Sequence, residues 1–203
     1  SNGYELKQAL EYIHEPPVDA NMQQLNQGSH PAQQRLIFEE LVAHQISLLT
    51  RRAYIRQIAA PRFDSSKVLA KALLDGLPFQ MTNAQKRVSK EILQDLKQDQ
   101  PMLRLVQGDV GAGKTLVAAV AACHALEADW QVALMAPTEI LAEQHYLNFK
   151  RWFEPLGIQV AWLSGKQKGK ARTLAEQQIK EGHAQLIVGT HALFQDTVGF
   201  SKL

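Results

Sequence analysis

The chain has 203 residues, of which 45% are hydrophobic and 21% are charged, an ordinary globular composition that excludes wholesale disorder. The formal net charge of +2 neither demands nor excludes a nucleic-acid partner, so any basic binding surface must be local. The single cysteine, Cys123, excludes an internal disulfide framework and is expected in the core, and the lack of a signal peptide or membrane-spanning apolar run predicts a cytoplasmic protein without a membrane partner.

The first 78 residues lack a strand pattern and are predicted to form helices and connectors. A short amphipathic helix over residues 4–14 is stopped by Pro16 and Pro17, and a polar connector follows over 21–30. Pro31 suits the first turn of a long helix over residues 32–58. Its apolar side chains recur at helical spacing and predict a face that packs on another domain. They are Ile37, Phe38, Leu41, Val42, His44, Leu48, Leu49 and Ile55.

From residue 79 onward, short apolar runs alternate with longer helical stretches, which is typical of a parallel α/β sheet. Strands are expected at residues 102–106, 132–136, 158–163 and 186–188. Helices are expected at residues 115–128, 139–153 and 171–181. Because ligands bind beyond the carboxyl ends of parallel strands, the strand-to-helix loops should face one side of the domain.

A phosphate-binding loop follows the first predicted strand, with the spacing G-x-x-x-x-G-K-T. Its members are Gly108, Asp109, Val110, Gly111, Ala112, Gly113, Lys114 and Thr115. The glycines let consecutive N–H groups point at an anion, and the following helix adds the positive end of its dipole. Lys114 is expected to reach the β- and γ-phosphates, and the Thr115 hydroxyl to bind Mg²⁺. The segment therefore predicts a nucleoside triphosphate with Mg²⁺.

A second segment precedes this loop by about one helix and is suited to an adenine base. Thr82 can cap the helix that Gln85 enters, and the Gln85 amide can donate and accept together at the N6 and N7 edge of adenine. Phe79 can pack near the base. A glutamine on a helix is usually only solvated, but with Phe79 and Thr82 ahead of a phosphate loop it resembles the Q motif of superfamily 2 helicases.

Two further strand ends carry groups that can contact a phosphate. Pro137, Thr138 and Glu139 open the helix after the second strand, where bare N–H groups form an anion site. Thr190, beside His191, follows the fourth strand and can offer its hydroxyl and N–H to a phosphate. The alternatives are an ordinary strand-to-helix corner at Thr138 and a purely structural role for His191.

The loop after the third strand carries four cations on a glycine-flanked stretch. Its residues include Gly165, Lys166, Lys168, Gly169, Lys170 and Arg172. Contact with phosphate and simple solvation are both open for this loop. No Cys/His cluster has zinc spacing, and no Ser/His/Asp set suggests covalent catalysis, so the expected metal is the Mg²⁺ of the nucleotide.

The order of the Q-like segment, the phosphate loop and the segments at 136–145 and 188–195 is similar to that of superfamily 2 translocases, in which the segment at 136–145 grips nucleic-acid backbone. Two subfamilies are close: the RecG-type DNA helicases and the transcription-repair coupling factors. Residues 29–51 resemble the helix that RecG-type proteins carry between a DNA-fork wedge domain and the first motor domain. From Tyr4 onward the chain therefore resembles the RecG-type family.

This resemblance implies a RecA-like P-loop domain with a mostly parallel sheet over residues 79–203, truncated before an Asp-Glu motif. A helical linker over residues 1–78 follows a missing wedge domain. It further implies an ATP-dependent double-strand DNA translocase, monomeric at full length, that remodels stalled replication forks and Holliday junctions in repair and recombination. Lys114 and Thr115 carry the catalytic roles present, and without the Asp-Glu pair and a second motor domain the fragment is expected to bind ATP but barely hydrolyse it.

Two other classes of protein remain as alternatives. A metabolic P-loop kinase would need an acceptor site and an arginine-rich lid, and residues 171–203 contain no such lid. A nucleotide-gated interaction module would use the long N-terminal helix as a docking surface and would bind its partner without DNA. Phosphotransfer to a small molecule distinguishes the first, and nucleotide-dependent partner capture distinguishes the second.

Overall fold

The structure, a computed structural model, describes residues 3–64, 66–195 and 197–203. The chain divides into two compact units, Ser1–Ala59 and Ala60–Leu203. The division lies before the boundary drawn from sequence at residue 79, because the helix Val68–Asp75 packs on the helix that follows the phosphate loop. The second unit therefore holds both the phosphate loop and the strand ends singled out above.

The first unit contains three helices within the described residues: α1 (Leu6–His14), α2 (Met22–Asn26) and α3 (Pro31–Arg56). Helix α1 packs on α3, and the Tyr12 ring stacks on His30 with 4.4 Å between centroids. Pro31 occupies the first turn of α3, as predicted. The short helix α2 replaces the expected polar connector, because the side chain of Asn21 caps it by accepting from the N–H of Gln24 at 3.1 Å.

The apolar side chains of α3 are largely exposed. Ile37, Leu41 and Leu48 keep 45%, 62% and 42% of their surface exposed, and Ala32 is the buried residue of this helix. Packing of this face on another domain stays a prediction. None of the helices in the described ranges is long and apolar enough to span a membrane.

The second unit is built from helices on a parallel sheet. Its helices are α4 (Val68–Asp75), α5 (Asn83–Leu96), α6 (Lys114–Glu127), α7 (Glu139–Phe153) and α8 (Lys170–Lys180). Its strands are β1 (Val132–Met135), β2 (Val160–Leu163) and β3 (Leu186–Gly189). Short 3₁₀ turns lie at Glu154–Leu156 and His191–Phe194. The predicted bounds of α7 are confirmed at both ends.

The sheet of the described residues has the order β1-β3-β2, and both pairings are parallel. The last residue of β3, Gly189, is in register with Met135 of β1 and Leu163 of β2. The central strand β3 is fully buried, as expected for a parallel strand covered on both faces. The three strands end at the same edge, so the loops that follow them lie side by side with the β3 loop in the middle.

Helix α6 runs through the main core and is buried along most of its length. Cys123 is completely buried on this helix, which confirms its predicted place in the core, and burial raises the pKa of its thiol to about 12. The aromatic rings of Phe149 and Phe153, from α7, pack 5.6 Å apart in the same core. The start of α6 is therefore held by a rigid, well-packed body.

The strand predicted at residues 102–106 is wrong, since the structure leaves this segment without regular secondary structure. Leu103 and Leu105 are 65% and 84% exposed. The segment is instead fixed to α5 through Arg104, whose guanidinium pairs with Glu91 at 2.8 Å and Asp95 at 2.7 Å. An apolar run becomes a strand only where another strand accepts its hydrogen bonds, and no described strand pairs with it.

The sequence also gave no indication of Gln131, a buried amide at the start of β1. Its side-chain nitrogen donates to the carbonyls of Ile179 and Ala184, each at 2.8 Å. Its side-chain oxygen accepts from the N–H groups of Ser201 at 2.7 Å and Lys202 at 3.0 Å. One satisfied amide thus ties the end of α8 and residues 201–202 to the sheet.

Candidate nucleotide site and strand-end loops

The phosphate loop connects residue 107 to the buried helix α6 through a tight turn. The N–H of Ala112 donates to the carbonyl of Asp109 at 3.1 Å, and Gly113 begins α6 as its N-cap with φ +73°. This left-handed backbone conformation favours glycine, because a Cβ would be strained there. The first N–H groups of α6 follow directly, so the positive end of its dipole lies at the loop.

Lys114 folds back over the loop that precedes it. Its ammonium donates to the carbonyl oxygens of Gly108 at 2.7 Å and Asp109 at 2.8 Å. The charge is thereby held against the inner backbone of the loop, where the sequence predicts phosphate. Both Lys114 and the loop residues from Gly108 to Ala112 are exposed, so an anion can approach them.

Gln85 contacts the loop directly, which the sequence did not predict. Its side-chain nitrogen donates to the carbonyl of Ala112 at 2.9 Å, and its side-chain oxygen accepts from the Thr82 N–H at 2.9 Å. The Thr82 hydroxyl in turn accepts from the Gln85 backbone N–H at 3.2 Å. This bond confirms the predicted cap of α5. Both ends of the Gln85 amide are therefore engaged within the protein.

Phe79 lies beside an open hollow rather than in the core. It is 51% exposed and lines a hollow of about 580 Å³ together with Leu77, Met81 and Lys86. This volume is in the range of small-molecule sites, and the aromatic ring offers a flat apolar face. The hollow lies between the end of α4 and the start of α5, the helix that carries Gln85.

The metal that the sequence predicts has few protein ligands of its own. Within the described parts of the chain, no group of three His, Cys, Asp or Glu side chains is placed to hold a metal ion. Thr115, which the sequence predicts as a ligand, lies half-buried at the first turn of α6. Such a site fits a Mg²⁺ that arrives with nucleotide phosphates, because Mg²⁺ is usually held by one or two protein oxygens plus substrate phosphates and waters.

The loops after β1 and β2 meet through an ion pair. Thr138 caps α7, and its hydroxyl accepts from the N–H of Leu141 at 3.4 Å. The next residue, Glu139, accepts from the ammonium of Lys166 at 2.5 Å. This contact, chiefly its hydrogen bond, raises the pKa of Lys166. The structure therefore joins two of the predicted DNA-contacting segments, with one lysine charge matched by a carboxylate.

The remaining strand-end residues differ in accessibility. Gly165, Lys168, Lys170, Pro137 and His191 are exposed. Thr190 is only 2% exposed, and its hydroxyl has no hydrogen-bond partner among the residues described. Its N–H donates to the carbonyl of Leu163 at 3.3 Å. The Thr190 hydroxyl is thus covered, whereas the lysines of the β2 loop and His191 face solvent.

Comparisons with known proteins agree with this architecture. The model of the DEAD/DEAH box helicase family matches residues 82–203. The chain is 58% identical over 200 residues to the ATP-dependent DNA helicase RecG of Haemophilus influenzae and 54% identical over 198 residues to that of Escherichia coli K12. Each match covers 98% of this chain.

Among solved structures, the chain is similar to one described as the structure of RecG bound to a three-way DNA junction. The TM-score is 0.76 at 38% sequence identity, and the match covers 85% of this chain and 24% of that one. The chain spans 29% of the length of the Haemophilus and Escherichia relatives. The similarity therefore extends over nearly all of this chain and over less than a third of those proteins.

Proposed function

This chain belongs to the DEAD/DEAH box helicase family, and we propose that it forms the nucleotide-binding part of an ATP-dependent DNA helicase of the RecG type. The observation that carries the proposal is the phosphate loop at the start of α6, with Lys114 held against its backbone. In this proposal residues 1–78 are the linker that follows a wedge domain, and residues 79–203 are the N-terminal part of the first motor domain.

The loop binds the phosphates of ATP. The ammonium of Lys114 gives up its two carbonyl partners and contacts the β- and γ-phosphates, while the N–H groups of the loop and of the first turn of α6 surround them. Thr115 contributes its hydroxyl to Mg²⁺, which neutralises phosphate charge when bound. These are the only catalytic roles that we assign within the chain.

The adenine base occupies the hollow beside Phe79. The open aromatic face there supports stacking, and the amide of Gln85 lies close enough to the loop to donate to the Ala112 carbonyl. Binding of the base through N6 and N7 requires that amide to exchange its present partners for the base edge. The nucleotide thus replaces hydrogen bonds that Gln85 makes within the protein.

DNA binds along the edge where the three strands end. The support is the common edge itself, which brings the loops at Pro137–Glu139, Gly165–Lys170 and Thr190–His191 side by side. The exposed lysines Lys166 and Lys168 are the cations on this edge that can contact DNA phosphates, and phosphate contacts supply most non-specific DNA affinity.

The DNA partners are branched duplexes such as forks and Holliday junctions. The full-length protein is monomeric, and its location is the cytoplasm of a bacterial cell.

A steady-state ATPase assay with and without three-way junction DNA tests this proposal. We expect the chain to bind Mg-ATP and to hydrolyse it barely in either condition, because loss of an arginine finger alone lowers the rate by about 10³ to 10⁵. DNA-stimulated turnover by these 203 residues would show that the hydrolytic groups lie within them. Phosphoryl transfer to a small-molecule acceptor would overturn the helicase assignment in favour of a kinase.

The exposed apolar face of α3 supports a second candidate, a nucleotide-gated interaction module. Ile37, Leu41 and Leu48 are exposed, and contiguous exposed apolar side chains are typical of interaction sites. This candidate predicts capture of a protein partner that depends on ATP and not on DNA. A pull-down with and without ATP, in the absence of DNA, distinguishes it from the helicase.

A further inference from the structure

A cavity of about 340 Å³ lies between α4, α5 and α6, apart from the phosphate loop and next to the hollow beside Phe79, with which it shares Leu74 and Asp75. Its apolar wall is formed by Ala70 and Leu74 from α4, Leu93 from α5 and Val120 from α6. This volume falls within the range of sites that hold small molecules, which are mostly apolar with a few polar groups. The cavity has both features.

The polar lining of the cavity is mainly cationic. Lys67, Lys71 and Lys90 contribute positive charges against one carboxylate, that of Asp75. Within the described residues, no ion pair shorter than 4.0 Å involves any of these three lysines. Three ammonium groups around one apolar cavity form an arrangement that favours an anion.

Lys67 is held in a backbone conformation that side chains rarely adopt. It begins α4 with φ 64° and ψ 13°, in the left-handed region. The carboxylate of Glu127, at the end of α6, accepts from the Lys67 N–H at 3.0 Å and fixes the backbone there. Glycine would adopt this conformation without strain, whereas lysine adopts it at a conformational cost. Strain of this kind at a cavity lining is typical of a functional position.

Ser89 adds an unsatisfied hydroxyl to the same lining. Its oxygen is buried, and it has no hydrogen-bond partner in the described part of the chain. Buried hydroxyls are normally paired, so a ligand that reached this oxygen would satisfy it. His124 also lines the cavity, where its buried ring adds a further polar group.

We propose that this cavity binds a small amphipathic anion, with its apolar body against Leu93 and Val120 and its anionic head against Lys71 and Lys90. The apolar walls account for the body, and the cationic rim accounts for the sign of the head. Ser89 donates its hydroxyl to that head, which removes the unsatisfied group. The site shares no lining residue with the phosphate loop, although Leu74 and Asp75 also line the hollow beside Phe79 that we propose for adenine.

Methyl-detected NMR titrations of the whole 203-residue chain test the proposal with three probes that share one body: octanoate, octyl phosphate and n-octylammonium. We expect at least one of the two anions to shift the methyl signals of Leu93 and Val120, which line this cavity and not the hollow beside Phe79, saturably, and the cation to leave them unchanged. Octanoate and octyl phosphate together distinguish a carboxylate head from a phosphate head. Equal shifts with the cation, no saturable shift with either anion, or shifts confined to Ile37 and Leu41 of α3 would overturn the proposal.

A double variant separates the cationic rim from general apolar binding. Lys71→Gln with Lys90→Gln should weaken binding of the anion about tenfold or more, since two charge-assisted contacts are lost. The matched control is Lys150→Gln with Lys180→Gln, one lysine of α7 and one of α8 outside the cavity lining. Equal weakening by both pairs would contradict a specific site. The head-group comparison on the unaltered chain decides the question even where a variant fails to fold.

Discussion

The side-chain nitrogen of Gln85 donates to the backbone carbonyl of Ala112 at 2.9 Å, across 27 residues of sequence. Through this bond, the amide that closes the capping box of α5 also fixes the backbone of the phosphate loop. A ligand that draws Gln85 toward itself therefore releases the loop at the same time. Contact with the ligand and release of the loop backbone therefore both depend on the Gln85 side chain.

The variant Gln85→Glu separates the two roles of that side chain. A glutamate still accepts from the Thr82 N–H, so the capping box and the stability of α5 should be kept within about 0.5 kcal/mol. A carboxylate has no N–H to donate to the N7 of adenine, so nucleotide binding should weaken. Gln85→Leu removes both contacts and should also cost about 1 kcal/mol of unfolding free energy.

Thermal unfolding together with Mg-ADP titration measures the two effects for each variant. Loss of stability in Gln85→Glu equal to that in Gln85→Leu would mean that the Ala112 bond, and not the cap, holds this region. Nucleotide affinity unchanged in Gln85→Glu would contradict a contact between the Gln85 amide N–H and the base.

Two glycines of the loop differ in their surroundings and should differ in their tolerance of alanine. Gly111 has φ +84° with open space where a Cβ would lie, so Gly111→Ala should cost about 1 kcal/mol of unfolding free energy through backbone strain. At Gly113, with φ +73°, a Cβ would lie 2.3 Å from the side-chain nitrogen of Gln85. Gly113→Ala should cost about 2 kcal/mol or more and should displace Gln85.

Urea denaturation and Mg-ADP titration of both variants provide the comparison, and Gly165→Ala, in open space at an ordinary φ, is the neutral control. We expect the larger loss of both stability and affinity in Gly113→Ala. Equal losses at Gly111 and Gly113 would show that backbone strain alone matters and that the contact with Gln85 does not.

The ion pair between Lys166 and Glu139 gives the DNA proposal a test with opposite signs. Glu139→Gln releases the lysine and should tighten binding to duplex DNA, whereas Lys166→Gln should weaken it. If Lys166 contacts one phosphate, its loss should also reduce the slope of log affinity against log salt by about 0.9. Fluorescence anisotropy of labelled duplex DNA over a range of salt measures both quantities.

Lys180→Gln, on the exposed side of α8, is the matched control for the lost charge. Unchanged affinity and unchanged salt slope in Lys166→Gln would remove this loop from the DNA site.

His124 should make stability depend on pH. Burial lowers the pKa of this imidazole below its usual 6.5, against the opposing influence of Glu127. The unfolded chain therefore takes up the proton first, and the free energy of unfolding should fall as pH drops below about 6.5 towards the lowered folded pKa. The Lys97 side chain lowers the pKa of Asp64, and the Arg62 side chain lowers that of Asp99. Protonation of those carboxylates therefore affects the free energy of unfolding at more acidic pH.

Urea denaturation between pH 5 and pH 8 measures this dependence, with His124→Gln as the comparison. We expect the variant to show a smaller slope across this window, whatever its absolute stability. The same slope in both proteins would assign the effect to other groups.

Local signals explain what the sequence predicted correctly. Helix α7 begins and ends as expected because Thr138 supplies its cap and the apolar spacing marks its length. The T-x-x-Q spacing of Thr82 and Gln85 likewise indicates a capping box, and the structure forms one. Both features depend on residues only a few positions apart, so the pattern contains the information.

Contacts between distant residues explain what the sequence missed. The apolar run at 102–106 has the composition of a strand, but a strand also requires a neighbour, and composition does not specify one. The bond from Gln85 to Ala112 and the four bonds of Gln131 reach residues 27 to 71 positions away. Such pairings become visible only when the chain is folded.

The most direct test of the account is calorimetric titration of Mg-ATP and Mg-ADP into the unaltered chain, into Lys114→Ala and into the control Lys180→Ala. We expect the unaltered chain and the Lys180→Ala control to bind each nucleotide with the same affinity as each other, and Lys114→Ala to lose most of this binding because the loop loses its point charge for the phosphates. Binding by Lys114→Ala as tight as that of the unaltered chain, or no binding by any of the three, would contradict a working phosphate loop.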